Sequence, residues 1–279
     1  MCQERLLMGI TGKLKTAYRI FKEKGVGGVR RTIRQKLNSH NSVDENAMIF
    51  EILSTNLAKG IMVDVGAHHG YSLLPFAEAQ WQVFAFEPDP ENRSKLLENT
   101  DKFVNVHVDS RAVSDEVVES ASFYTSKESS GISSLVAFLP SHEVACEVCT
   151  TTLSQFIQEQ NLDRIDFLKI DTEGFDLKVL QGLSWEQLQP AVILCEFEDS
   201  KTQKLNYTFL TLADYLVSKG YHVIVSEWRP IVRYGEQHSW RGFYTYPHQL
   251  VDEKGWGNLI ATNDDAIYQQ LLNKCKLSA

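Results

Sequence analysis

Short apolar runs alternate with amphipathic segments along most of the chain. The runs are rich in β-branched and aromatic residues, which is typical of buried strands. Strands are predicted around Val63 and Val65 and over residues 83–86, 104–108, 165–170, 191–199, 221–225 and 257–262. Helices are predicted over residues 47–57, 91–99, 150–160, 176–182, 207–219 and 264–274. A further helix is predicted to start near Ser72, with Ser72 as its N-cap. Strands that alternate with helices form a mostly parallel sheet covered on both faces, so the pattern predicts a doubly wound α/β fold.

The first predicted strand ends in a glycine-rich turn, DVGAHHG, that leads into a helix. Glycine lets backbone approach a ligand, and the first amides of a helix have no partner within it, so such a turn favours a nucleotide-like cofactor. A dinucleotide fingerprint requires G-x-G-x-x-G, and its middle glycine is missing here. The spacing therefore opposes a dehydrogenase and favours S-adenosylmethionine, which has no pyrophosphate. The residues expected to contact this cofactor are Asp64, Gly66, Ala67, His69 and Gly70.

Two acidic residues follow later strands at positions suited to the same cofactor. Glu87 lies 17 residues beyond Gly70, where a carboxylate would bind the hydroxyls of an adenosine ribose. In the sequence AVSD, Ala112 and Val113 place a small apolar pair, and Asp115 an acid, where the tip of a third strand would meet an adenine. The alternatives are a solvated carboxylate after a generic α/β turn and a plain turn into the hairpin ESASFYTS. Residues 131–134 are predicted to form a loop over the pocket.

Charge is unevenly distributed in a composition that is otherwise ordinary. The chain has 279 residues, of which 43% are hydrophobic and 23% charged, as in a soluble globular protein. Residues 1–40 carry a net charge of +8, whereas the remainder carries −16. An acidic body leaves no basic face for phosphates, which argues against nucleic-acid binding. The five scattered cysteines are typical of a reduced cytoplasmic protein, and Cys146 and Cys149 lack the further ligands of a zinc site.

The charge pattern predicts a basic helical extension over residues 1–40, followed by one domain over residues 41–279. Leu14, Tyr18 and Phe21 recur at helical spacing among Lys and Arg. Such a segment would lie on an anionic membrane surface or on an acidic partner, or pack on the body as a solubilising appendage. With no signal peptide and no membrane-spanning run in view, we expect a cytoplasmic protein with peripheral contact at the inner face of the membrane. Homo-oligomer formation is left open.

Four segments in order, DVGAHHG, FEPDP, AVSD and LKIDTEGFDLKVLQG, resemble the FkbM family of S-adenosylmethionine-dependent methyltransferases. The resemblance covers roughly residues 61–197. It implies a seven-stranded, Rossmann-like methyltransferase sheet and O-methylation, often of a sugar or a natural-product hydroxyl. The chain departs from the family pattern at three positions: His68 replaces the usual Asn, Asp176 the usual Glu, and Ser154 the usual Asp.

Methyl transfer to a hydroxyl requires a base or a Lewis-acidic ion beside the acceptor. Asp171 and Glu173 lie two residues apart at a strand end and project to the same side, and Glu196 ends the neighbouring strand. These three are the candidate catalytic carboxylates, either as a general base or as tentative ligands of Mg²⁺ or Mn²⁺. Asp171 is also expected to contact the cofactor, and its alternative is to cap the following helix. His68 is a further candidate base, ranked below the acids.

An insertion over residues 227–256 supplies the candidates for substrate binding. Aromatic rings flanked by arginines suit a sugar ring and the phosphates of a nucleotide sugar. The alternatives are a hydrophobic cluster under a long loop and a dimer contact. The predicted substrate-binding residues are Trp228, Arg229, Arg233, Trp240 and Arg241.

These observations predict an S-adenosylmethionine-dependent O-methyltransferase that acts on a hydroxyl of a sugar or glycan. Within the enzyme class, the alternative acceptor is a polyketide or other secondary metabolite. Outside it, the chain would be a scaffold that keeps a cofactor pocket without turnover.

Overall fold

The computed structural model describes residues 43–126, 128–232 and 238–278, and residues 44–279 form one compact unit. The basic extension predicted over residues 1–40 lies outside the described residues, as does Arg233. Within the described ranges, no helix is long and apolar enough to span a bilayer.

Strands and helices alternate as the hydrophobic pattern predicts. The strands of the described chain are β1 (Ile61–Val65), β2 (Gln82–Phe86), β3 (Val106–Asp109), β4 (Ala112–Val113), β5 (Ala121–Ser126), β6 (Ser129–Ser134), β7 (His142–Val148), β8 (Thr150–Thr151), β9 (Phe167–Ile170), β10 (Val192–Glu198), β11 (His222–Trp228), β12 (Trp240–Thr245) and β13 (Trp256–Thr262). The helices are α1 (Glu45–Asn56), α2 (Leu74–Glu78), α3 (Pro90–Thr100), α4 (Leu153–Gln160), α5 (Asp176–Gln181), α6 (Asp199–Thr202), α7 (Phe209–Ser218) and α8 (Asp265–Cys275). A 3₁₀ turn, Gln203–Leu205, follows α6.

The main sheet has the order β12-β11-β13-β10-β9-β1-β2-β3. Strands β3, β2, β1, β9 and β10 pair in parallel, and β13 runs antiparallel between β10 and β11. This arrangement confirms the predicted doubly wound, mostly parallel α/β fold. The sheet has eight strands instead of seven, because residues 240–245 of the predicted insertion add β12 to the edge of β11.

Helices cover both faces of the sheet and create two separate cores. Successive strand residues point to opposite faces, so Met62 and Val63 of β1 belong to different clusters. Val63 packs in the cluster that contains Phe156 of α4, whereas Met62 packs in the cluster that contains Phe76 of α2. With both faces buried, the carboxyl ends of the parallel strands are the part of the sheet left open to a ligand.

Two local predictions near this edge are wrong. Ser72 does not cap the helix after the glycine turn: α2 begins at Leu74 without a side-chain cap, and the Ser72 hydroxyl donates to Asp64 Oδ2 at 2.7 Å. Residues 131–134 form part of strand β6 instead of a loop, because β5 pairs with both β6 and β7 in a small three-stranded sheet.

Candidate active site

A cavity of about 290 Å³ lies at the carboxyl ends of β1, β2 and β9. Its floor is formed by the glycine turn, the end of β2 and the residues that follow β9, and β6 supplies one wall. The lining includes Gly66, His68, Glu87, Ala112, Val113, Ser130, Ser134, Asp171, Thr172 and Glu173. This size is at the lower end of the range for small-molecule sites.

The glycine turn is held tightly between two strand ends. The amides of Gly66 and Ala67 both donate to the Phe86 carbonyl oxygen at 3.0 Å. Gly66 has φ +82°, and a Cβ atom there would lie 1.9 Å from the Asp171 carbonyl oxygen. Gly70 has φ +81°, and its Cβ atom would meet Leu96 Cδ1 at 2.5 Å. Both glycines are therefore required by the backbone conformation and by the protein's own packing.

Asp64 lies beneath this turn and does not line the cavity. Its carboxylate is fully buried and accepts hydrogen bonds from Lys169 Nζ at 3.1 Å and from the Ser72 hydroxyl at 2.7 Å. Lys169 Nζ also lies 3.5 Å from Asp171 Oδ2. Burial alone lowers the pKa of Lys169, but attraction to Asp64 and Asp171 outweighs it and raises the pKa above its ordinary value. This ion pair joins the end of β1 to the end of β9.

Glu87 presents a buried carboxylate to the cavity. Its two oxygens accept one backbone hydrogen bond each, Oε2 from the His68 amide at 2.7 Å and Oε1 from the Asp89 amide at 2.9 Å. Burial raises the pKa of Glu87 to about 7, against the opposing effect of the two amides. Each oxygen keeps capacity to accept a further hydrogen bond.

The two adjacent histidines differ in their access to the cavity. The His68 ring lines it, with Nε2 3.1 Å from the Ser130 hydroxyl, and stacks on the His69 ring at 3.7 Å between centroids. Burial, followed by repulsion from His69, lowers the pKa of His68 to about 4, so the ring is neutral near pH 7. His69 lies outside the lining, and its Nε2 is 3.2 Å from Asn92 Oδ1.

Strand β6 is tied to both ends of the cavity. At one end, Asn92 Nδ2 donates to the Ser130 carbonyl at 3.0 Å. At the other, the Ser134 hydroxyl donates to the carbonyls of Thr172 and Glu173 at 3.1 and 3.2 Å. Asn92, Ser130 and Ser134 are not predicted as individual site residues, since nothing in the local sequence pattern distinguishes them from solvated polar residues.

Asp171, Glu173 and Glu196 come together, with one carboxylate oxygen from each lying within 4.8 Å of the others. Asp171 has the most exposed side chain of the three, at 43%, and it does not cap α5, whose N-cap residue is Phe175 without a side-chain bond. Burial raises the pKa of Glu173 to about 7, although attraction to Lys201 opposes the rise. Burial also raises the pKa of Glu196 well above its ordinary value.

Lys201 is the residue of this cluster that the sequence did not reveal. Its Nζ atom lies 2.5 Å from Glu173 Oε2, 2.7 Å from Glu196 Oε2 and 3.0 Å from Glu198 Oε2, and its side chain is 2% exposed. It sits on the short helix α6, where four residues carry too little periodicity to predict burial. A cation is thus already bound to two of the three carboxylates that were predicted as tentative metal ligands.

Asp115 is not brought to the cavity. Its carboxylate accepts from Lys178 Nζ at 2.7 Å and from the Ser114 hydroxyl at 3.0 Å. Ala112 and Val113 of the same AVSD sequence do line the cavity. Of the apolar pair and the acid predicted at this position, the apolar pair lines the cavity and the acid does not.

The predicted substrate-binding residues of β11 and β12 also lie away from the cavity lining. Trp228 Nε1 donates to Glu45 Oε1 at 3.0 Å, and Trp240 Nε1 donates to the Ser226 hydroxyl at 3.1 Å. The Arg241 guanidinium pairs with the buried Glu227 at 3.1 Å. β11 is three strands from β9, roughly 14 Å at ordinary strand spacing. These side chains hold the sheet edge together, which matches the alternative interpretation of a hydrophobic cluster. The Arg229 side chain is exposed.

The sheet order, the glycine turn and the cavity at the strand ends define a Rossmann-like fold with a ligand site at the carboxyl ends of its strands. The chain belongs to the FkbM methyltransferase family, since the family described as Methyltransferase FkbM domain matches residues 64–223. This match confirms the resemblance found in the sequence.

Two curated relatives carry methyltransferase names. Methyltransferase 1 of Beauveria bassiana is 38% identical over 95 residues, which cover 32% of this chain and 34% of that protein. Hexuronic acid methyltransferase AglP of Haloferax volcanii is 27% identical over 124 residues, 44% of this chain and 50% of that protein. The chain thus spans between a third and a half of the length of these relatives.

Among solved structures, the O-methyltransferase from Bacillus cereus in complex with SAH superposes with a TM-score of 0.41 at 12% identity, covering 84% of this chain and 86% of that chain.

Replacing Gly66 with alanine separates backbone strain from the packing of the turn. Gly220 has nearly the same conformation, with φ +88°, but a Cβ atom there would have no neighbour within 4 Å, so Gly220→Ala is the matched control. We expect Gly220→Ala to cost about 1–2 kcal/mol of unfolding free energy. Gly66→Ala should cost clearly more, because the Asp171 carbonyl must move. Urea unfolding of both variants measures the difference, and equal costs would show that packing adds nothing to the strain.

Proposed function

We propose that this methyltransferase transfers a methyl group from S-adenosylmethionine to a hydroxyl of a sugar or glycan. The observation that carries the proposal is one cavity bounded by the glycine turn, the buried Glu87 carboxylate and the carboxylates after β9. The first two features suit an adenosine, and the third supplies proton-transfer groups beside it.

The residues of the cavity fit the cofactor. Glu87 is a buried carboxylate whose oxygens each accept a single hydrogen bond, which leaves acceptor capacity for the two ribose hydroxyls. Ala112 and Val113 provide an apolar wall for an adenine ring. When bound, S-adenosylmethionine supplies an electrophilic methyl carbon. The chain must then align the acceptor oxygen and remove its proton.

Glu173 is the strongest candidate for the base. It lines the cavity, and its raised pKa of about 7 is suited to accepting a proton at neutral pH. The acceptor oxygen gains the methyl group while its proton passes to the Glu173 carboxylate. His68, with a pKa near 4, is a much weaker base, and it acts instead as a neutral wall of the cavity. Asp171 stays a second candidate because its carboxylate is accessible from the cavity.

Support for a saccharide acceptor comes from the hexuronic acid methyltransferase to which part of this chain is similar. The serine hydroxyls of β6 add polar groups to the cavity wall, which suit a polyhydroxylated acceptor. The aromatic residues of β11 and β12 give no support to a saccharide acceptor, since Trp228 and Trp240 donate to other side chains of the protein.

Calorimetric titration tests the cofactor class. S-adenosylhomocysteine should bind, whereas NAD should give no heat of binding. Glu87→Gln should weaken S-adenosylhomocysteine binding roughly 10–100-fold, because an amide cannot accept from all the donors around it. Glu91→Gln, on the exposed first turn of α3, is the control and should bind like the wild type. Binding of NAD, or of neither ligand, would overturn the assignment.

Transfer of a labelled methyl group tests the acceptor class. Neutral sugars, hexuronic acid oligosaccharides and polyketide alcohols are offered in parallel. We expect label on a saccharide that survives mild alkali, because a methyl ether on a hydroxyl is stable where a methyl ester on a carboxyl is hydrolysed. Label found only on a polyketide would contradict the sugar assignment, and cofactor binding with no transfer to any acceptor would favour a scaffold.

Glu173→Gln tests the assignment of the base. A general base works in its deprotonated form, so wild-type turnover should rise as pH rises through about 7. In the variant, turnover should fall at least 100-fold, and the rise of turnover with pH on the acid side of the profile, the acid limb, should disappear. The affinity for S-adenosylhomocysteine should stay within about threefold of the wild-type value. Glu186→Gln, at an exposed position, should behave as the wild type. A variant that keeps wild-type turnover would rule out Glu173 as the base and leave Asp171 as the candidate.

A further inference from the structure

The acidic cluster behind the cavity is closed by one buried ammonium group. Lys201 Nζ contacts three carboxylates, those of Glu173, Glu196 and Glu198, at 2.5–3.0 Å. Its hydrogen bond goes to Glu196 Oε2, and the carboxylates of Glu173 and Glu198 are ion-pair partners of the same ammonium. Only 2% of the Lys201 side chain is exposed. The group is therefore fixed inside the protein and is not available to bulk solvent.

The ammonium contacts two of the three carboxylates that a divalent ion would share. Oxygens of Asp171, Glu173 and Glu196 are close enough to share one ion, but Lys201 already engages Glu173 and Glu196. A divalent ion bound to the same oxygens would face a buried positive charge at short range, and that repulsion is little screened in a buried site. The carboxylates of Glu173 and Glu196 can pair with the lysine or bind a metal ion, but they cannot do both at once.

Backbone packing holds Lys201 in this position. Gly174 has φ +96°, and a Cβ atom there would lie 2.9 Å from Lys201 Cβ, so the loop after β9 packs directly against α6. The Tyr207 hydroxyl fixes the same loop by donating to the Gly174 carbonyl at 2.8 Å. The loop therefore carries Glu173, which faces the cavity, and stays in contact with the lysine that pairs with it.

We propose that Lys201 is a positioning residue that takes the place of a divalent cation at this site, holding Glu173 at the cavity so that methyl transfer needs no metal. The inference rests on the proposed role of Glu173 as the base. The lysine then has two effects that a bound ion would otherwise supply. It orients the Glu173 carboxylate, and it compensates the negative charge of the clustered carboxylates. The methyl donor and the acceptor are not contacted by Lys201 in this assignment.

Titration with Mn²⁺, followed by electron paramagnetic resonance, tests the occupancy without requiring an acceptor. Lys201→Ala removes the ammonium and opens the carboxylates, so this variant should bind Mn²⁺ at least tenfold more tightly than the wild type. The double variant Lys201→Ala/Glu173→Gln should return towards wild-type affinity. Tight Mn²⁺ binding by the wild type that is lost in Glu173→Gln would overturn the proposal.

The pH profile of methyl transfer tests the positioning role. Burial and the charges of Asp171 and Glu198 raise the pKa of Glu173, and Lys201 lowers it. Lys201→Met should therefore move the acid limb of turnover upward by at least one pH unit, and Lys201→Arg should largely restore it. A limb unchanged in Lys201→Met would overturn the positioning role.

Three controls make the outcome interpretable. Lys274→Met removes a lysine on α8 that pairs with the exposed Glu51, and it should match the wild type. Binding of S-adenosylhomocysteine by each variant shows that the cofactor site is intact, which separates failure of this inference from failure of the proposed function. If Lys201→Ala and Lys201→Met do not fold, wild-type turnover decides: it should survive EDTA, and loss of activity that Mg²⁺ restores would overturn the proposal.

Discussion

Buried carboxylates compensated by two buried lysines are the constraint on which the site depends. Lys169 joins Asp64 beneath the glycine turn to Asp171 after β9, and Lys201 gathers the acids of β10 around Glu173. Removing one partner of such a pair leaves an uncompensated charge in a poorly solvated place, which costs far more than the pair itself contributes. The turn, the loop after β9 and the end of β10 are consequently linked as one electrostatic unit.

Around the cavity, two carboxylates with similar raised pKa values have different partners. Glu87 and Glu173 are both carboxylates with pKa values raised to about 7, yet the first is held by two backbone amides and the second by an ammonium. A carboxylate that accepts fixed amide bonds is suited to hold hydroxyl groups, whereas one beside a positioned cation is suited to exchange a proton. In the proposed function, the same residue type binds the cofactor at one end of the cavity and accepts a proton at the other.

The hydrophobic pattern was sufficient for the fold because it is repeated many times. Strands buried on both faces and helices with one apolar face leave few other arrangements, so the order of elements predicted the parallel sheet. The glycine turn and Glu87 were predictable as well, since close backbone approach and a strand-end acid are local properties of the sequence. The extra strand β12 was not, because an edge strand inside a long polar and aromatic segment has no distinctive period.

The sequence by itself determined the class of protein: its α/β fold, its family, the cofactor turn and the acids that end the strands. Only the tertiary structure decided which of those acids face the cavity, and it separated Glu87 and Glu173 from Asp64 and Asp115. It also assigned the aromatic residues of β11 and β12 to the sheet edge and brought Lys201 into the acidic cluster. The reason is that burial, ion pairing and a place in the cavity wall depend on how the folded elements pack against one another, and neither periodicity nor spacing encodes that packing.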